Sequence, residues 1–232
     1  DHLKGFLMYN AVGGGTGSGL GALMLQSLGE QFGVKTNRLA LSIYPADQLS
    51  VSPTEPFNAI LHTDALLEHA DMSFTIENEA LLSIYKQKLY KTRPRYTDLN
   101  RLLAQVISNL TVAYRFESPY NVDFNDYLTN LVPYPKMHFL LTSQSPFTSI
   151  YEMPPENPVP QTITDLTHAT FAKENMLVNC DPATGKYMAC CLQYRGLLGK
   201  SEPLEAIQDL RVNSKTIKFV DWCRTGYKVG FN

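Results

Sequence analysis

Hydrophobic and polar positions in the first part of the chain alternate between strand-like and helix-like spacing. The apolar runs GFLMYNAV (5–12) and RLALSIYP (38–45) have the length and content of buried strands. Between them, LGALMLQSLGEQF (20–32) places its apolar residues on a 3.6-residue period, which is typical of a helix. Strand, helix and strand in this order form one βαβ unit, so the pattern predicts an α/β fold built on a parallel sheet.

The next part of the chain continues the alternation. The spacing predicts a helix within 53–70, a strand over 72–78, a short helix over 79–89 and a long helix over 97–116. The long helix has the clearest pattern, with apolar residues at i, i+3 and i+4, and Thr97 or Asp98 could cap its start. We interpret it as a long central helix that packs against the main core.

The last hundred residues have a different pattern. They contain four strand-like runs, at 137–143, 187–196, 218–223 and 227–232, with helical stretches near 161–174 and 203–211. A loop over 145–161 carries five prolines and is expected to be exposed. The pattern predicts a second, smaller α/β domain and a division of the chain into 1–96, 97–131 and 132–232.

Composition and charge exclude several classes of protein. The 232 residues carry a formal net charge of −2, which argues against a nucleic-acid binder, because phosphate contacts need a surplus of basic residues. No apolar run approaches the roughly 20 residues that span a bilayer, so no membrane partner is expected. The four cysteines lack the CxxC spacing of a zinc site, and we interpret them as reduced, buried thiols.

The segment GGGTGSG, residues 13–19, places five glycines between the first strand and the first helix. Backbone N–H groups at such a position can converge on an anion, and the helix dipole favours a phosphate there. A Walker A loop is excluded, because no lysine lies between Asn10 and Glu30. A dinucleotide fingerprint fits weakly: Gly17, Gly19 and Ala22 match, with Asp47 as the ribose acid, but the first three glycines are left without a role. A tight turn without a ligand is the remaining alternative.

GGGTGSG resembles the signature of the tubulins and of their bacterial cell-division relatives. Five further segments look like α-type tubulins, in the same order: FTIENEALLSIY, RPRYTDLNRL, TNLVPYPKMHF, CDPATGKYMACCLQYRG and FVDWCRTGYKVG. The resemblance covers essentially the whole chain. It implies a Rossmann-like, tubulin-type GTPase half-domain with a parallel sheet, followed by the long central helix and the smaller α/β domain.

The resemblance also implies a guanine-nucleotide site. In the family the glycine loop wraps the phosphates, a glutamate reaches the ribose, and an asparagine, a tyrosine and a second asparagine read the guanine. The matching positions here are Gly14, Gly15, Thr16, Gly17 and Ser18 for the phosphates, Glu55 for the ribose, and Asn78, Tyr96 and Asn100 for the base. The implied cofactors are GTP and Mg²⁺, and no metal ligand is expected within this chain.

NVDFNDY, residues 121–127, matches the family loop that carries an acidic residue toward the nucleotide of the next subunit. In the family, hydrolysis of GTP is completed there in trans, and the resemblance implies that the acid helps to place the attacking water. The residue here is Asp126, where α-type chains usually have glutamate. Taken without the resemblance, Asp126 would be interpreted as a helix N-cap.

Several positions depart from the family pattern. Ala11 and Val51 replace polar residues near the phosphates and the ribose, and the loop 145–161 replaces the segment used for lateral contacts. Family members also have a half-domain before the position of Asp1, which supplies the Mg²⁺ ligands, and helices after that of Asn232. The chain therefore resembles the middle of an α-type tubulin, and alone it is expected to be inactive.

Two hypotheses on function remain. The first is a GTP-binding microtubule subunit of the cytoplasm that assembles head-to-tail with a β-tubulin-like partner. The second is a divergent or truncated paralogue with a purely structural role. A dinucleotide-dependent dehydrogenase fits less well than either.

Overall fold

The computed structural model describes residues 3–33, 35–46, 49–50, 52–91, 93–118, 120–147, 162–196, 202–213, 217–223 and 226–231. The strands are β1 Gly5–Ala11, β2 Asn37–Tyr44, β3 Met72–Glu77, β4 Phe139–Leu141, β5 Cys190–Tyr194 and β6 Tyr227–Phe231. The α-helices are α1 Gly21–Phe32, α2 Glu55–His69, α3 Asn78–Gln87, α4 Tyr96–Leu110, α5 Phe124–Leu131, α6 Ile163–Thr170 and α7 Glu202–Asn213. Asp47, Val51 and residues 148–161 of the proline-rich loop lie outside the described residues.

The chain forms two compact units, residues 1–79 with 123–142 and residues 80–122 with 143–232. In the first unit, β1, β2, β3 and β4 form one parallel sheet in this order. The parallel sheet predicted from the βαβ pattern is therefore confirmed. β1 is half-buried rather than buried, because it lies at the end of this sheet.

The two faces of this sheet are covered by different helices. Met8, Ala40 and Phe139 occupy one row across the strands and pack with Leu25 of α1 and Leu66 of α2. Side chains one position further along a strand point to the opposite face. There the Phe74 ring meets the Tyr127 ring of α5, with 6.1 Å between the ring centroids.

The long helix is shorter than predicted. α4 ends at Leu110 and is followed by a 3₁₀ turn, Val112–Tyr114. The Ile107 carbonyl accepts from both the Thr111 N–H at 3.0 Å and the Thr111 hydroxyl at 2.7 Å, and the Tyr114 N–H then bonds to the Thr111 carbonyl at 3.2 Å in the tighter 3₁₀ pattern. The predicted caps are also wrong, because Arg95 precedes the helix and Asp98 accepts from the Arg95 N–H at 2.8 Å.

In the second unit, β5 and β6 form a parallel pair, and α6 packs against α7. The strand predicted over 218–223 is wrong: the segment makes one bridge, Tyr187 to Phe219, and then turns at 221–222. The four cysteines are free, as predicted, but only partly buried. Burial raises the pKa of the Cys190 thiol, which leaves it protonated and unreactive.

Among the residues that the structure describes, no helix has both the length and the apolar content needed to cross a membrane. Within the same ranges, no group of three or more His, Cys, Asp and Glu side chains could hold a metal ion.

Candidate functional site

The glycine loop leaves the carboxyl end of β1 and enters a single π-helical turn, Thr16–Leu20, that continues into α1. Val12 is held by a hydrogen bond from its N–H to the Ile43 carbonyl at 3.0 Å. The loop therefore lies at the carboxyl edge of the parallel sheet and at a helix N-terminus, where ligands of open α/β sheets bind.

The glycine at position 17 is required by close approach of the backbone. A Cβ placed on Gly17 would lie 1.9 Å from the Ala11 carbonyl oxygen. The glycines with positive φ in the described part of the chain are Gly33 and Gly196, so backbone handedness does not explain the glycines of the loop. A turn without a ligand also leaves Gly14 and Gly15 unexplained, because both are exposed and a Cβ added to either would meet no atom within 4 Å.

Side chains hold the carbonyl groups of the loop. Asn58 Nδ2 donates to the Gly13 carbonyl at 2.9 Å, and Ser18 donates to the Gly14 carbonyl through Oγ at 2.8 Å and through N at 3.0 Å. In a trans peptide the N–H of the next residue points away from the carbonyl. The N–H groups of Gly14 and Gly15 are therefore directed away from these contacts, and both residues are exposed.

Glu55 and Asn78 lie at the same edge of the sheet as the loop. Glu55 begins α2, and its Cγ is 3.4 Å from the position that a Cβ on Gly13 would take. Asn78 directly follows β3, which is two strands away from β1 in the parallel sheet, about 10 Å at the usual strand spacing. The structure thus brings Glu55 against the predicted phosphate loop and places Asn78 along the same edge.

Tyr96 and Asn100 belong to the second unit. They lie four residues apart in the first turns of α4, which places them on one side of that helix. Both are exposed, Tyr96 by 59%. Their assignment to the guanine base stays a prediction.

The start of α4 is stabilised by Asp98. Its carboxylate accepts from Lys91 Nζ at 2.7 Å and from the Arg95 N–H at 2.8 Å, and these contacts, with Lys91 first, lower the pKa of Asp98. A carboxyl group with a lowered pKa in the folded state stabilises the fold above its ordinary pKa, and the contribution is lost as the pH falls through the folded-state value.

We therefore expect Asp98→Asn to lower the melting temperature of the full-length protein by about 2–4 °C at pH 7. The difference from the wild type should shrink as the pH falls below about 4, because the Asp98 carboxylate of the unfolded chain is protonated there first, and it should vanish once the pH is below the lowered pKa of the folded state. Thermal unfolding followed by circular dichroism measures this. Glu174→Gln is the control, since Glu174 pairs with Lys88 but is 60% exposed, and such pairs contribute little. Equal effects of the two substitutions at pH 7 would contradict the role of Asp98.

Asp126 lies in helix α5 and not in a loop. Asp123 is the N-cap of this helix and accepts from the Asp126 N–H at 2.9 Å, while Asp126 Oδ2 accepts from the Asp123 N–H at 3.2 Å. This reciprocal pair is a capping box, so the helix cap is Asp123 and Asp126 is its partner in the first turn. α5 packs on the sheet face opposite α1 and α2.

Sequence reasoning missed the polar residues that support the loop, namely Asn10, Ser42, Asn58 and His62. Asn10 and Ser42 are neighbours in the register of β1 and β2, and both interrupt apolar strands. Polar residues near the ends of two adjacent apolar strands were the available signal. His62 is 1% exposed and lies one helical turn before the core residue Leu66.

Comparison with known proteins identifies the family of the chain. Residues 1–86 match the GTPase domain of the Tubulin/FtsZ family, and residues 135–232 match the tubulin C-terminal domain. The chain is 48% identical over 231 residues to a tubulin alpha chain of Dictyostelium purpureum, with 99% of this chain and 68% of the relative covered.

Two further relatives are longer. A tubulin alpha chain of Dictyostelium discoideum is 47% identical over 233 residues, covering 100% of this chain, and the tubulin alpha-3 chain of Zea mays is 46% identical over 230 residues, covering 99%. The chain spans 50% of the length of each of these two. Since both parts of the chain match tubulin domains and the identity extends along its whole length, the chain belongs to the tubulin family.

Proposed function

We propose that this chain is part of an α-tubulin-like subunit that binds GTP and assembles into microtubules. The observation that carries the proposal is the glycine loop. Gly17 lies against the Ala11 carbonyl, and the N–H groups of the exposed residues Gly14 and Gly15 point away from the contacts with Asn58 and Ser18, at a helix N-terminus. An anionic phosphate fits this arrangement, because it needs several N–H donors and space without side chains.

The other contacts are proposed from the resemblance to the family. Glu55, beside Gly13, is proposed to bind the ribose, and the guanine is proposed to be read by Asn78, Tyr96 and Asn100. An asparagine amide can donate to one edge atom of a base and accept from another, and a tyrosine ring can stack on a purine. We propose that Mg²⁺ accompanies the triphosphate and is held by its oxygens and by residues outside this chain.

We further propose that the subunit pairs head-to-tail with a β-tubulin-like partner and that Asp126 acts on the nucleotide of a neighbouring subunit. A carboxylate can orient an attacking water and accept its proton. The functional division proposed for the chain is a nucleotide-binding part over 1–96, the central helix and inter-subunit segment over 97–131, and a second α/β domain over 132–232. The proposed location is the microtubule cytoskeleton of the cytoplasm.

Assembly of the full-length protein tests this proposal. We expect it to form a heterodimer with a β-type tubulin on size-exclusion chromatography, and to enter sedimentable polymer when GTP is added but not when GDP is added. The matched control is the β-type chain alone under the same conditions. Formation of heterodimers and polymer without any dependence on the nucleotide would favour a purely structural paralogue.

A further inference from the structure

A buried network of polar side chains lies directly beneath the glycine loop. It consists of Asn10 on β1, Ser42 on β2 and His62 on α2, and both Ser42 and His62 are 1% exposed. Buried polar groups are costly unless each of them finds a partner, so the pairing of their hydrogen atoms can be worked out from the contacts.

The state of His62 follows from its two neighbours. Nδ1 of His62 lies 2.9 Å from the Ser18 carbonyl oxygen, which can only accept, so Nδ1 carries the hydrogen. Burial lowers the pKa of His62, which keeps the ring neutral and leaves a lone pair on Nε2. Nε2 lies 2.6 Å from Asn10 Nδ2 and therefore accepts from it.

The side chain of Asn10 is satisfied in one orientation. Its Nδ2 donates one hydrogen to His62 and the other to the Gly17 carbonyl at 2.9 Å. Its Oδ1 accepts from the Ser42 hydroxyl at 3.0 Å. A flipped amide would place an oxygen against the Gly17 carbonyl and against the lone pair of His62 Nε2, so these two acceptors fix the orientation of Asn10. The Ser42 hydroxyl donates to Oδ1 in that orientation.

The two carbonyls held in this way, those of Gly17 and Ser18, belong to the turn that connects the loop to α1. We propose that Asn10 and His62, which we term the carbonyl clamp, are positioning residues that fix the phosphate-binding loop for the triphosphate of GTP. They do so by fixing that turn against β1 and α2, while the clamp itself does not touch the nucleotide. This inference rests on the proposed function, since it assigns a role within the same GTP site.

If the clamp positions the loop, the His62→Leu variant of the full-length protein should lose affinity for the phosphates of GTP but not for its base. GTP affinity should fall by ~10-fold, because two hydrogen bonds are lost and Asn10 and Ser18 lose a partner. The ratio of GTP affinity to GMP affinity should fall as well, since the outer phosphates depend on the loop. The preference for GTP over ATP should stay, because base recognition is untouched. Isothermal titration with each nucleotide measures all three quantities.

Two other substitutions at the clamp test the same proposal if His62→Leu does not fold. His62→Gln should restore most of the affinity, since an amide can donate to Ser18 and accept from Asn10. Asn10→Asp should reproduce the loss, because a carboxylate of the same shape can still accept from Ser42 but cannot donate to the Gly17 carbonyl.

His138→Leu is the matched control. His138 is 2% exposed, belongs to the same unit and donates from Nε2 to the Leu66 carbonyl at 3.1 Å, so its loss should lower stability without changing nucleotide affinity. Equal losses of GTP affinity in His62→Leu and His138→Leu, or an unchanged ratio of GTP to GMP affinity in His62→Leu and Asn10→Asp, would overturn the clamp. A wild-type protein that does not bind GTP would instead overturn the proposed function together with the clamp.

Discussion

Replacing Gly17 with alanine in the full-length protein is expected to lower the affinity for GTP by ~100-fold. The added Cβ would lie 1.9 Å from the Ala11 carbonyl oxygen, a separation that real Cβ atoms essentially never show. The loop would have to move by about 1 Å to relieve the contact, and displacements of that size can cost ~100-fold where ligand groups must be placed accurately. Nucleotide content after purification and equilibrium titration with GTP measure the loss.

Two neighbouring glycines separate this effect from general damage to the loop. Gly19→Ala is the matched control, because a Cβ there meets no atom within 4 Å, and GTP affinity should stay within about twofold. Gly15→Ala also meets no protein atom, so it should fold normally, but its methyl group would enter the space proposed for the phosphates and weaken binding. A Gly17→Ala protein that binds GTP as tightly as the wild type would contradict the steric account.

The second large effect is expected at Asp126. In the full-length protein, Asp126→Ala should slow the GTP hydrolysis that accompanies assembly by ~100-fold or more, the usual scale for a lost acid–base group. Affinity for the subunit's own GTP should not change, because the proposed role of Asp126 concerns the nucleotide of a neighbour. Phosphate release during assembly with the β-type partner measures the rate.

A further substitution separates the structural role of Asp126 in the capping box from its proposed role in hydrolysis. Asp126→Asn keeps an oxygen that can accept from the Asp123 N–H but lacks the carboxylate, so it should preserve α5 and still lose hydrolysis. Asp126→Glu should retain or improve turnover, since it restores the side chain usual in α-type chains. Wild-type rates in both Asp126→Ala and Asp126→Asn would leave Asp126 with a structural role in α5 alone.

The pattern of apolar residues was sufficient to predict the core of the first unit. Two apolar strands on either side of an amphipathic helix admit few arrangements besides a parallel βαβ unit, and β1, α1 and β2 form at the predicted places. Helix α5 was missed because it has eight residues, with only Phe124 and Tyr127 buried. So short an element gives little periodicity, and its stability comes from packing on Phe74 and from the capping box.

The strand predicted over 218–223 failed for a related reason. The run KFVDWC is apolar enough for a strand, but the Cys223 N–H bonds back to the Val220 carbonyl at 3.2 Å and closes a turn. Apolar content alone does not distinguish a strand from a turn that packs against aromatic rings, as Phe219 does against Tyr187.

The candidate site, like the fold, could be predicted only in part from the sequence. The glycine segment could be identified as an anion site from its place between a strand and a helix. The need for glycine at position 17 could not be predicted. The Ala11 carbonyl, which excludes a side chain there, takes its position beside Gly17 only once the loop has folded. The contact of Asn10 with His62 joins residues 52 positions apart, and nothing in the sequence pairs them.

The central claim is that the glycine loop is part of a guanine-nucleotide site, and competition between GTP and ATP for the full-length protein tests it most directly. Replacing the 6-oxygen of guanine by an amino group would leave an asparagine amide facing the wrong partner, at a cost of ~1–3 kcal/mol for each mispaired buried group. We therefore predict that GTP displaces a labelled guanine nucleotide at a concentration at least ~10-fold lower than ATP does. Equal displacement by GTP and ATP, or no displacement by either, would contradict the account.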